Sequence, residues 1–442
     1  MNKRFFLLAI IAVGLCFLNQ VILAADQPNV ILIMADDVGI EAFKTYGGES
    51  YSTPNIDRMA ATGMQFQHCY SQPLCTPSRV KLMTGQSNVT NYFDFSLLHP
   101  DLTTIGHYMK RAGYTTGITG KWQLYGASHY KTTAGLGMRP ENAGFDQYRL
   151  WQIEQLGSRY HDPLIIENGK KLEGKGKYGP KLFNDFALDF IRKHKDEPFF
   201  LYYPMVLVHD PFVQTPDSEK GGKLDQEQQR HAYFADMMAY MDKAVGKIIK
   251  EVEAQGLSDN TLIIFTGDNG THQSITSQWK GAPTQGGKGL STDAGTHVPL
   301  YAIWPGTIKP GTRTDCLVDF SDFLPTALEV AGTSALPEAQ LSGKSFLPIL
   351  KGDESKARDF VYTYSNPRPT RKAFRRAVFS RNQSYKLYAD GRFYHVAKDR
   401  LEKNNITSGS EADQPKLRAE LQAVIDSWPK HGEMLIEGSV VE

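Results

Sequence analysis

Residues 29–34 read Asn-Val-Ile-Leu-Ile-Met, an apolar run that is followed, after one alanine, by the acidic pair Asp36-Asp37. A short apolar run between polar segments is typical of a strand buried in a sheet. In open α/β sheets, ligands bind outside the carboxyl ends of the strands. The run therefore predicts the first strand of an α/β fold, with carboxylates at the edge where a site forms.

Apolar runs and helical patterns alternate as far as about residue 331, which is typical of βα units and a largely parallel sheet. The first helix is predicted to begin with Thr53 as N-cap and Pro54 as first helical residue, and to end at Gly63. Further helices are predicted at 103–111, 181–195, 226–254 and 323–331, and further strands at 114–119, 199–208, 261–266 and 298–304.

The pattern changes after about Gly343, where aromatic and polar residues alternate in short stretches. These stretches, at 360–365, 377–380, 385–388 and 392–396, precede a helical pattern at 414–428. They predict a small antiparallel sheet with a helix packed on it. We predict three segments: a signal peptide (1–24), an α/β catalytic domain (25–345) and a C-terminal α+β subdomain (346–442).

The N-terminus has the features of an export signal. Residues 3–4 are basic, residues 5–18 are apolar, and the small residues Ala24 and Ala25 offer a cleavage site. The apolar run is short for a membrane span, so we expect no stable membrane insertion. The prediction is a periplasmic or secreted protein, and the alternative is a retained N-terminal anchor.

Composition excludes one class of partner and raises a question about cysteine. The 442 residues carry a net charge of +1, which argues against the basic surface of a nucleic-acid binder. Beyond the signal segment the chain has Cys69, Cys75 and Cys316, an odd number for an exported protein. Cys69 and Cys316 are either buried free thiols, which we favour, or a disulfide.

Two polar pairs follow predicted strands: Asp36-Asp37, and Asp268-Asn269 after 261–266. Their side chains are hard oxygen ligands of the kind that Ca²⁺ and Mg²⁺ prefer. Each pair alone is more often a turn or a helix cap. Two pairs that flank a candidate nucleophile favour a metal site.

The candidate nucleophile lies in Cys75-Thr76-Pro77-Ser78-Arg79, which resembles the signature of formylglycine-dependent (type I) sulfatases of the alkaline-phosphatase-like superfamily. In that family a generating enzyme oxidises the cysteine to formylglycine (3-oxoalanine), and the aldehyde hydrate supplies the nucleophile. The resemblance implies a large, mostly parallel mixed sheet sandwiched by helices and a smaller C-terminal antiparallel sheet with a helix. It also implies a sulfuric ester hydrolase, and the predicted export favours a sulfated carbohydrate, as in polysaccharide degradation, over an intracellular ester.

The resemblance extends to further motifs and carries the family's roles onto them. It implies one Ca²⁺ bound by Asp36, Asp37, Cys75, Asp268 and Asn269. Arg79 matches the arginine that steadies the hydrate, and Lys121 in Gly-Lys-Trp matches the sulfate-binding lysine. His209 matches the active-site histidine after the central strand, and Lys288 the second active-site lysine.

The chemistry of sulfate ester cleavage calls for these residue types. Negative charge grows on the bridging oxygen, so the site needs fixed cations and a proton donor at the leaving group. Lys121 and Lys288 are the predicted cations, His209 with Lys288 the predicted donor, and Asp268 a candidate base for the nucleophile.

Gln123 departs from the family pattern, which has histidine after Gly-Lys-Trp. A glutamine amide holds a hydrogen bond but is not a base near neutral pH. Either His129, His68 or a water takes the proton, or turnover is slow. Two alternatives therefore stay open beside the sulfatase: a phosphatase or phosphonate monoester hydrolase of the same superfamily, and a catalytically impaired pseudo-sulfatase that binds sulfate esters.

The segment 367–376 is rich in arginine and lysine and begins near the predicted small domain. Such a cluster suits a polyanionic glycan, because guanidinium groups bind sulfates and carboxylates through paired hydrogen bonds. The alternative is a solvated charged loop.

Overall fold

The computed structural model describes residues 27–219, 225–337, 339–369 and 376–429. The predicted signal peptide lies outside the described residues, as does the middle of the basic segment, residues 370–375. Statements below concern the described residues.

The main sheet and a hairpin take up the first three quarters of the chain, and a second sheet follows. The strands are β1 Asn29–Ala35, β2 Met64–Tyr70, β3 Thr115–Lys121, β4 Gln147–Trp151, β5 Ile165–Glu167, β6 Lys170–Lys171, β7 Phe199–Pro204, β8 Thr261–Gly267, β9 Thr276–Trp279, β10 Ala282–Gln285, β11 His297–Ile303, β12 Thr312–Asp319, β13 Val361–Ser365, β14 Ala377–Arg381, β15 Lys386–Tyr388 and β16 Phe393–Tyr394. The helices are α1 Pro54–Thr62, α2 Cys75–Thr84, α3 Asn88–Asn91, α4 Ile105–Arg111, α5 Gly179–Lys193, α6 Gln226–Ala254, α7 Asp293–Thr296, α8 Phe323–Val330, α9 Leu347–Leu350 and α10 Pro415–Asp426.

The main sheet has ten strands in the order β12-β2-β11-β8-β1-β7-β3-β4-β5-β6. The central strands β8, β1, β7, β3 and β4 are parallel. β11 lies antiparallel between β8 and β2, and β5 and β6 add an antiparallel edge. The predicted α/β class with a mostly parallel, mixed sheet is confirmed.

β1 lies in the middle of this sheet because both of its faces are apolar. Successive side chains of a strand point to opposite faces. Val30 and Leu32 belong to the core that packs against α2, α4 and α8, and Ile31 and Ile33 to the core against α1, α5 and α6. The sheet is therefore sandwiched by helices, as predicted.

The first helix begins where the sequence predicts, with Thr53 as its N-cap residue, but the side chain that caps it comes from another helix. Pro54 is the first helical residue, and the Thr53 hydroxyl has no hydrogen-bond partner. The Asp242 carboxylate, from α6, instead accepts the N–H groups of Asn55 and Ile56 at 3.0 and 2.9 Å. The local pattern was overridden because α6 packs against α1 and brings a buried carboxylate to its first turn.

The second sheet is antiparallel in the order β13-β14-β15-β16. α10 packs on one face of it, where Leu421 and Ile425 meet Leu387 and Phe393. The predicted antiparallel sheet with a helix is confirmed, while the domain boundary at 345 stays a prediction.

Two further observations concern predicted properties of the chain. Cys69 and Cys316 are free, buried thiols, as favoured from the sequence. Among the described residues, no helix combines the length and the apolar composition that a membrane crossing requires.

Candidate active site

The candidate residues meet at the carboxyl edge of the central strands. Asp36 and Asp37 follow β1, and Asp268 follows β8. Backbone hydrogen bonds hold these strand ends together: the Asp268 N–H donates to the Ala35 carbonyl at 2.9 Å, and the Asp36 N–H donates to the Leu207 carbonyl at 2.7 Å. The sheet therefore places residues from distant parts of the chain side by side.

Cys75 is the first residue of α2 and is buried at the centre of this cluster. Its sulfur, one carboxylate oxygen each from Asp36 and Asp37, and a ring nitrogen of His209 lie within 4.8 Å of one another. Burial, opposed by Lys121, raises the pKa of the Cys75 thiol to about 12. The unmodified thiol therefore stays protonated near neutral pH and is a poor nucleophile.

Buried cations pair with the carboxylates around Cys75. The Lys121 ammonium lies 3.0 and 2.8 Å from the two oxygens of Asp36. The Lys288 ammonium lies 2.5 Å from Asp37 Oδ2. Burial opposes ionisation of both carboxyls, yet these cations and His209 lower the pKa of each, that of Asp36 most strongly. Asp36 and Asp37 are therefore carboxylates at neutral pH.

Asp268 differs from the other two carboxyls. Burial, and then the neighbouring Asp36 charge, raise the pKa of Asp268 to about 7. Its Oδ1 accepts the Asp37 N–H at 3.0 Å, and its Oδ2 accepts from Arg79 at 2.9 Å. Asp268 thus lies beside Asp37 and Arg79, and burial favours its neutral form more than it does for the other two carboxyls.

His209 and Lys288 are in direct contact. His209 Nε2 is 3.0 Å from Lys288 Nζ, and His209 Nδ1 is 3.0 Å from Asp210 Oδ1. Burial lowers the pKa of His209, although Asp37 works in the opposite direction. Asp210, which the sequence marked only as the neighbour of His209, therefore orients the imidazole.

The donor set fits a hard divalent cation. Asp36 and Asp37 offer carboxylate oxygens, and the Asn269 side-chain oxygen is buried with no hydrogen-bond partner. Asn269 Nδ2 donates to Asp37 Oδ1 at 2.8 Å, which aligns the two side chains. Carboxylate and amide oxygens are the ligands that Ca²⁺ prefers.

A cleft of about 350 Å³ opens onto these residues. It is lined by Leu74, Cys75, Phe95, Gln123, Tyr130, Gln152, Leu156, Arg159, His209, Lys288 and Arg368. Five predicted site residues thus lie together, with Cys75, Gln123, His209 and Lys288 in the wall, and Lys121 behind it on Asp36. Arg79 lies deeper, paired with Asp268 and 3.5 Å from Asp36.

Arg159 was missed by sequence reasoning. Its guanidinium lies over the Trp151 ring, 4.0 Å from the ring centroid, and its Nη1 is 3.9 Å from Asp36 Oδ2. It adds a cation to the cleft wall. No motif marks it, and the only available signal was its position in the loop after a strand that the sequence did not reveal.

The structure distinguishes the two histidines, His68 and His129, that could take the proton in place of the histidine replaced by Gln123. His68 lies in another cavity, next to Tyr70 and His297, and not in the cleft. His129 is exposed, and the centroid of its ring lies 3.9 Å from the centroid of the Tyr130 ring. Tyr130 lines the cleft.

The two described ends of the basic segment 367–376 lie at different cavities. Arg368 lines the cleft, whereas Arg376 lies over the Tyr364 ring and lines a groove next to α10.

Known proteins resemble this chain over most of its length. Residues 28–333 match the family model described as Sulfatase, and residues 287–427 match the model described as N-sulphoglucosamine sulphohydrolase, C-terminal. Arylsulfatase A of Bos taurus is 31% identical over 392 residues, covering 77% of this chain and 71% of that protein. An arylsulfatase of Hemicentrotus pulcherrimus is 30% identical over 367 residues, covering 76% of this chain and 64% of that protein.

Solved structures share the fold. The structure of Ps i-CgsB in complex with k-i-k-neocarrahexaose superposes with a TM-score of 0.74 at 24% identity, covering 91% of this chain and 92% of that chain. This likeness concerns the fold, including both sheets. The chain thus spans about two thirds of the length of the curated relatives and nearly all of this structural relative.

Proposed function

This chain belongs to the sulfatase family, as the sequence predicted, and we propose on that premise that its cleft hydrolyses sulfate esters. The observation that carries the proposal is the set of cations around the buried Cys75. Lys121, Lys288 and Arg159 contact the carboxylates beside it, and Arg79 lies beneath them. Such a preorganised set stabilises the charge that develops as a sulfate ester is cleaved.

The nucleophile in this proposal is not a thiol. Conversion of Cys75 to formylglycine by a generating enzyme during maturation provides an aldehyde, whose hydrate is nucleophilic. The high pKa of the unmodified Cys75 thiol supports this, because a buried protonated thiol attacks poorly.

The surrounding side chains have separate tasks. Lys121 and Lys288 hold the sulfuryl oxygens, and Arg79 fixes the orientation of Asp268 through its 2.9 Å contact. Asp268, which accepts the Asp37 N–H at 3.0 Å beside the nucleophile, is the proposed base that takes up the proton of the nucleophile. Lys288 Nζ and His209 Nε2, which are 3.0 Å apart, together form the proposed proton donor to the leaving oxygen.

We assign one Ca²⁺ to Asp36, Asp37, Asp268 and Asn269, with residue 75 as a further ligand. When bound, the ion adds fixed positive charge that polarises its oxygen ligands. The unpartnered Asn269 oxygen and the two ionised carboxylates support this assignment.

The proposed substrate is a sulfated carbohydrate that the protein meets after export to the periplasm or beyond. The match of residues 287–427 to a model named for N-sulphoglucosamine sulphohydrolase supports a sugar substrate. The complex that the structural relative Ps i-CgsB forms with k-i-k-neocarrahexaose supports it too. Export rests on the sequence of residues 1–24.

The alternatives make different demands on the site. Among the described residues, the one group of metal-ligating side chains contains a single histidine, which does not suit a two-zinc phosphatase. Gln123 remains the feature that a pseudo-sulfatase would share. We therefore favour active hydrolysis of sulfate esters.

The test compares matched esters with protein produced together with a generating enzyme. Release of sulfate, but not phosphate, is expected from aryl sulfate and aryl phosphate, and Cys75→Ala should abolish it while the fold is retained. Mass spectrometry of the peptide with residue 75 should show the aldehyde. Phosphate release alone would indicate the phosphatase, binding without turnover the pseudo-sulfatase, and an unmodified thiol in active protein would remove the proposed nucleophile.

A further inference from the structure

Two glutamines lie side by side in the cleft, just beyond the carboxyl ends of β3 and β4. The last residues of these strands, Lys121 and Trp151, are paired in register. Two residues further along β3, the Gln123 N–H donates to the Gln152 carbonyl at 3.1 Å. Both glutamines have left-handed backbones, with φ of 57° and 61°. The register of the sheet thus presents a pair of carboxamides to the space in front of Cys75.

Both side chains are buried, yet their polar atoms lack protein partners. Gln123 is 6% exposed and Gln152 is 1% exposed. The Gln123 Oε1 and both amide atoms of Gln152 have no hydrogen-bond partner. Buried polar groups are nearly always paired, and a left-handed backbone is uncommon in residues other than glycine. Unpaired buried amides and a left-handed backbone both cost free energy, and their occurrence at one site indicates a function in binding a ligand.

Of the two, Gln152 has no role carried over from the family pattern. Gln123 occupies the position whose usual histidine acts beside residue 75. Gln152 comes from the neighbouring strand and follows Trp151, over which Arg159 lies. Gln152 lines the same cleft as Cys75 and Gln123, so it is placed to contact the part of a substrate next to the sulfate.

The chemistry of a carboxamide defines what it binds. Its NH₂ group donates and its oxygen accepts. The oxygens of a sulfate ester only accept, and lysines already serve them, so they cannot satisfy the Gln152 oxygen. A hydroxyl group both donates and accepts. Phe95, Tyr130 and Leu156 add apolar surface to the cleft, which suits the C–H groups of a sugar ring.

We propose that Gln152 is a specificity-determining residue that binds a free sugar hydroxyl next to the scissile sulfate ester. The proposal rests on the proposed sulfatase function and narrows its substrate class. The Gln152 contact selects sugar sulfates that have a neighbouring hydroxyl over sulfates that lack one.

The experiment pairs one monosaccharide sulfate with its deoxy analogue, which lacks the hydroxyl next to the ester, and takes the ratio of their kcat/KM values. We expect the wild type to prefer the hydroxyl substrate by about 10- to 100-fold, because a site built for a hydroxyl penalises its absence. The variant Gln152→Met should bring the ratio close to one. Since both substrates meet the same enzyme, a general loss of activity cancels.

Gln152→Asn guards against misfolding, because asparagine accepts a left-handed backbone more readily than most residues. Its shorter side chain should also reduce the ratio. Gln147→Met, at the opposite end of β4, is the matched control and should keep the wild-type ratio. A wild-type ratio in folded Gln152 variants overturns the inference. A wild type that hydrolyses no sugar or aryl sulfate overturns the proposed function, and this inference with it.

Discussion

Lys288 connects the parts of the site at the scale of single residues. Its ammonium contacts both Asp37 and His209, and its side chain is largely buried. Burial works against its charge, but Asp37 and other nearby acidic groups raise the pKa of Lys288 above its usual value. It therefore remains a cation near neutral pH, which is what its proposed role beside the sulfuryl group requires.

The variant Lys288→Met should lower kcat/KM for an aryl sulfate by about 100- to 1,000-fold, the usual loss when one electrostatic stabiliser is removed. The matched control is Lys280→Met, since Lys280 is exposed, lies over the Trp279 ring and lines a different cavity. Steady-state kinetics with both variants test this. Similar losses in the two variants would contradict a specific role for Lys288.

His68 predicts a pH dependence of stability outside the site. Burial, with smaller contributions from His297 and Arg381, lowers the pKa of His68 from 6.5 to about 3. Between these values the unfolded chain binds a proton that the folded protein does not bind. The free energy of unfolding therefore falls as pH drops below 6.5, by up to about 1.4 kcal/mol per pH unit for this one group.

The variant His68→Gln removes this proton from the unfolded state. Denaturant unfolding at pH 7 and pH 5 should show a smaller loss of stability in the variant than in the wild type, by about 2 kcal/mol. Tyr70, Asp293 and Asp315 also line this cavity, so the comparison keeps them constant. If the free energy of unfolding fell equally with pH in the two proteins, folded His68 would have to take up the proton as the unfolded chain does.

Sequence motifs predicted which residues meet at the site but not how they are paired. Cys75, Lys121 and Lys288 lie in short motifs whose resemblance to the sulfatase family marked them in the sequence. Gln152 and Arg159 were not, because their positions depend on the register of β4 with β3 and on the stacking over Trp151. Both are consequences of tertiary structure.

At the scale of elements, α1 shows how tertiary contacts replace a local cap. The Asp242 carboxylate accepts two backbone N–H groups of the first turn and the Asn55 side-chain amide, at 2.6 Å. Asp242→Ala should lower the free energy of unfolding by about 2–3 kcal/mol, because buried donors lose a charged acceptor. Thr53→Ala should cost less than about 0.5 kcal/mol, since the Thr53 hydroxyl has no partner. Chemical denaturation compares the two, and a larger loss from Thr53→Ala would restore the cap predicted from sequence.

Buried central strands were predictable and the outer strands less so. β1 and β8 are continuous apolar runs because both of their faces are covered. β2 contains Gln65 and His68 among its apolar residues, and β12 is partly exposed, so neither has a clear apolar pattern. The antiparallel insertion of β11 depends on how the chain crosses the sheet, which local sequence does not encode.

At the scale of the whole molecule, buried ion pairs join the small sheet to the main one. Arg381 of β14 donates to Asp293 of α7 at 2.6 Å, and its guanidinium lies 3.7 Å from the centroid of the Tyr70 ring. Arg400 donates to Glu41 at 2.7 Å. These residues are far apart in sequence, so only the structure reveals that charges as well as apolar contacts fix the two sheets together.

Breaking the central pair of this interface should destabilise the molecule. In Arg381→Met the Asp293 carboxylate stays buried without its closest cation, and removing one partner of a buried pair costs about 3–5 kcal/mol. The matched control is Arg392→Met, whose partner Asp390 is also exposed, and exposed pairs are worth about 0–1 kcal/mol. Denaturant unfolding followed by far-UV circular dichroism measures both losses. The Arg381 variant should unfold at clearly lower denaturant than the Arg392 variant, because only the first removes the closest cation from a buried carboxylate, which then keeps only His297 and Arg400. Equal midpoints would mean that the apolar contacts alone hold the small sheet in place.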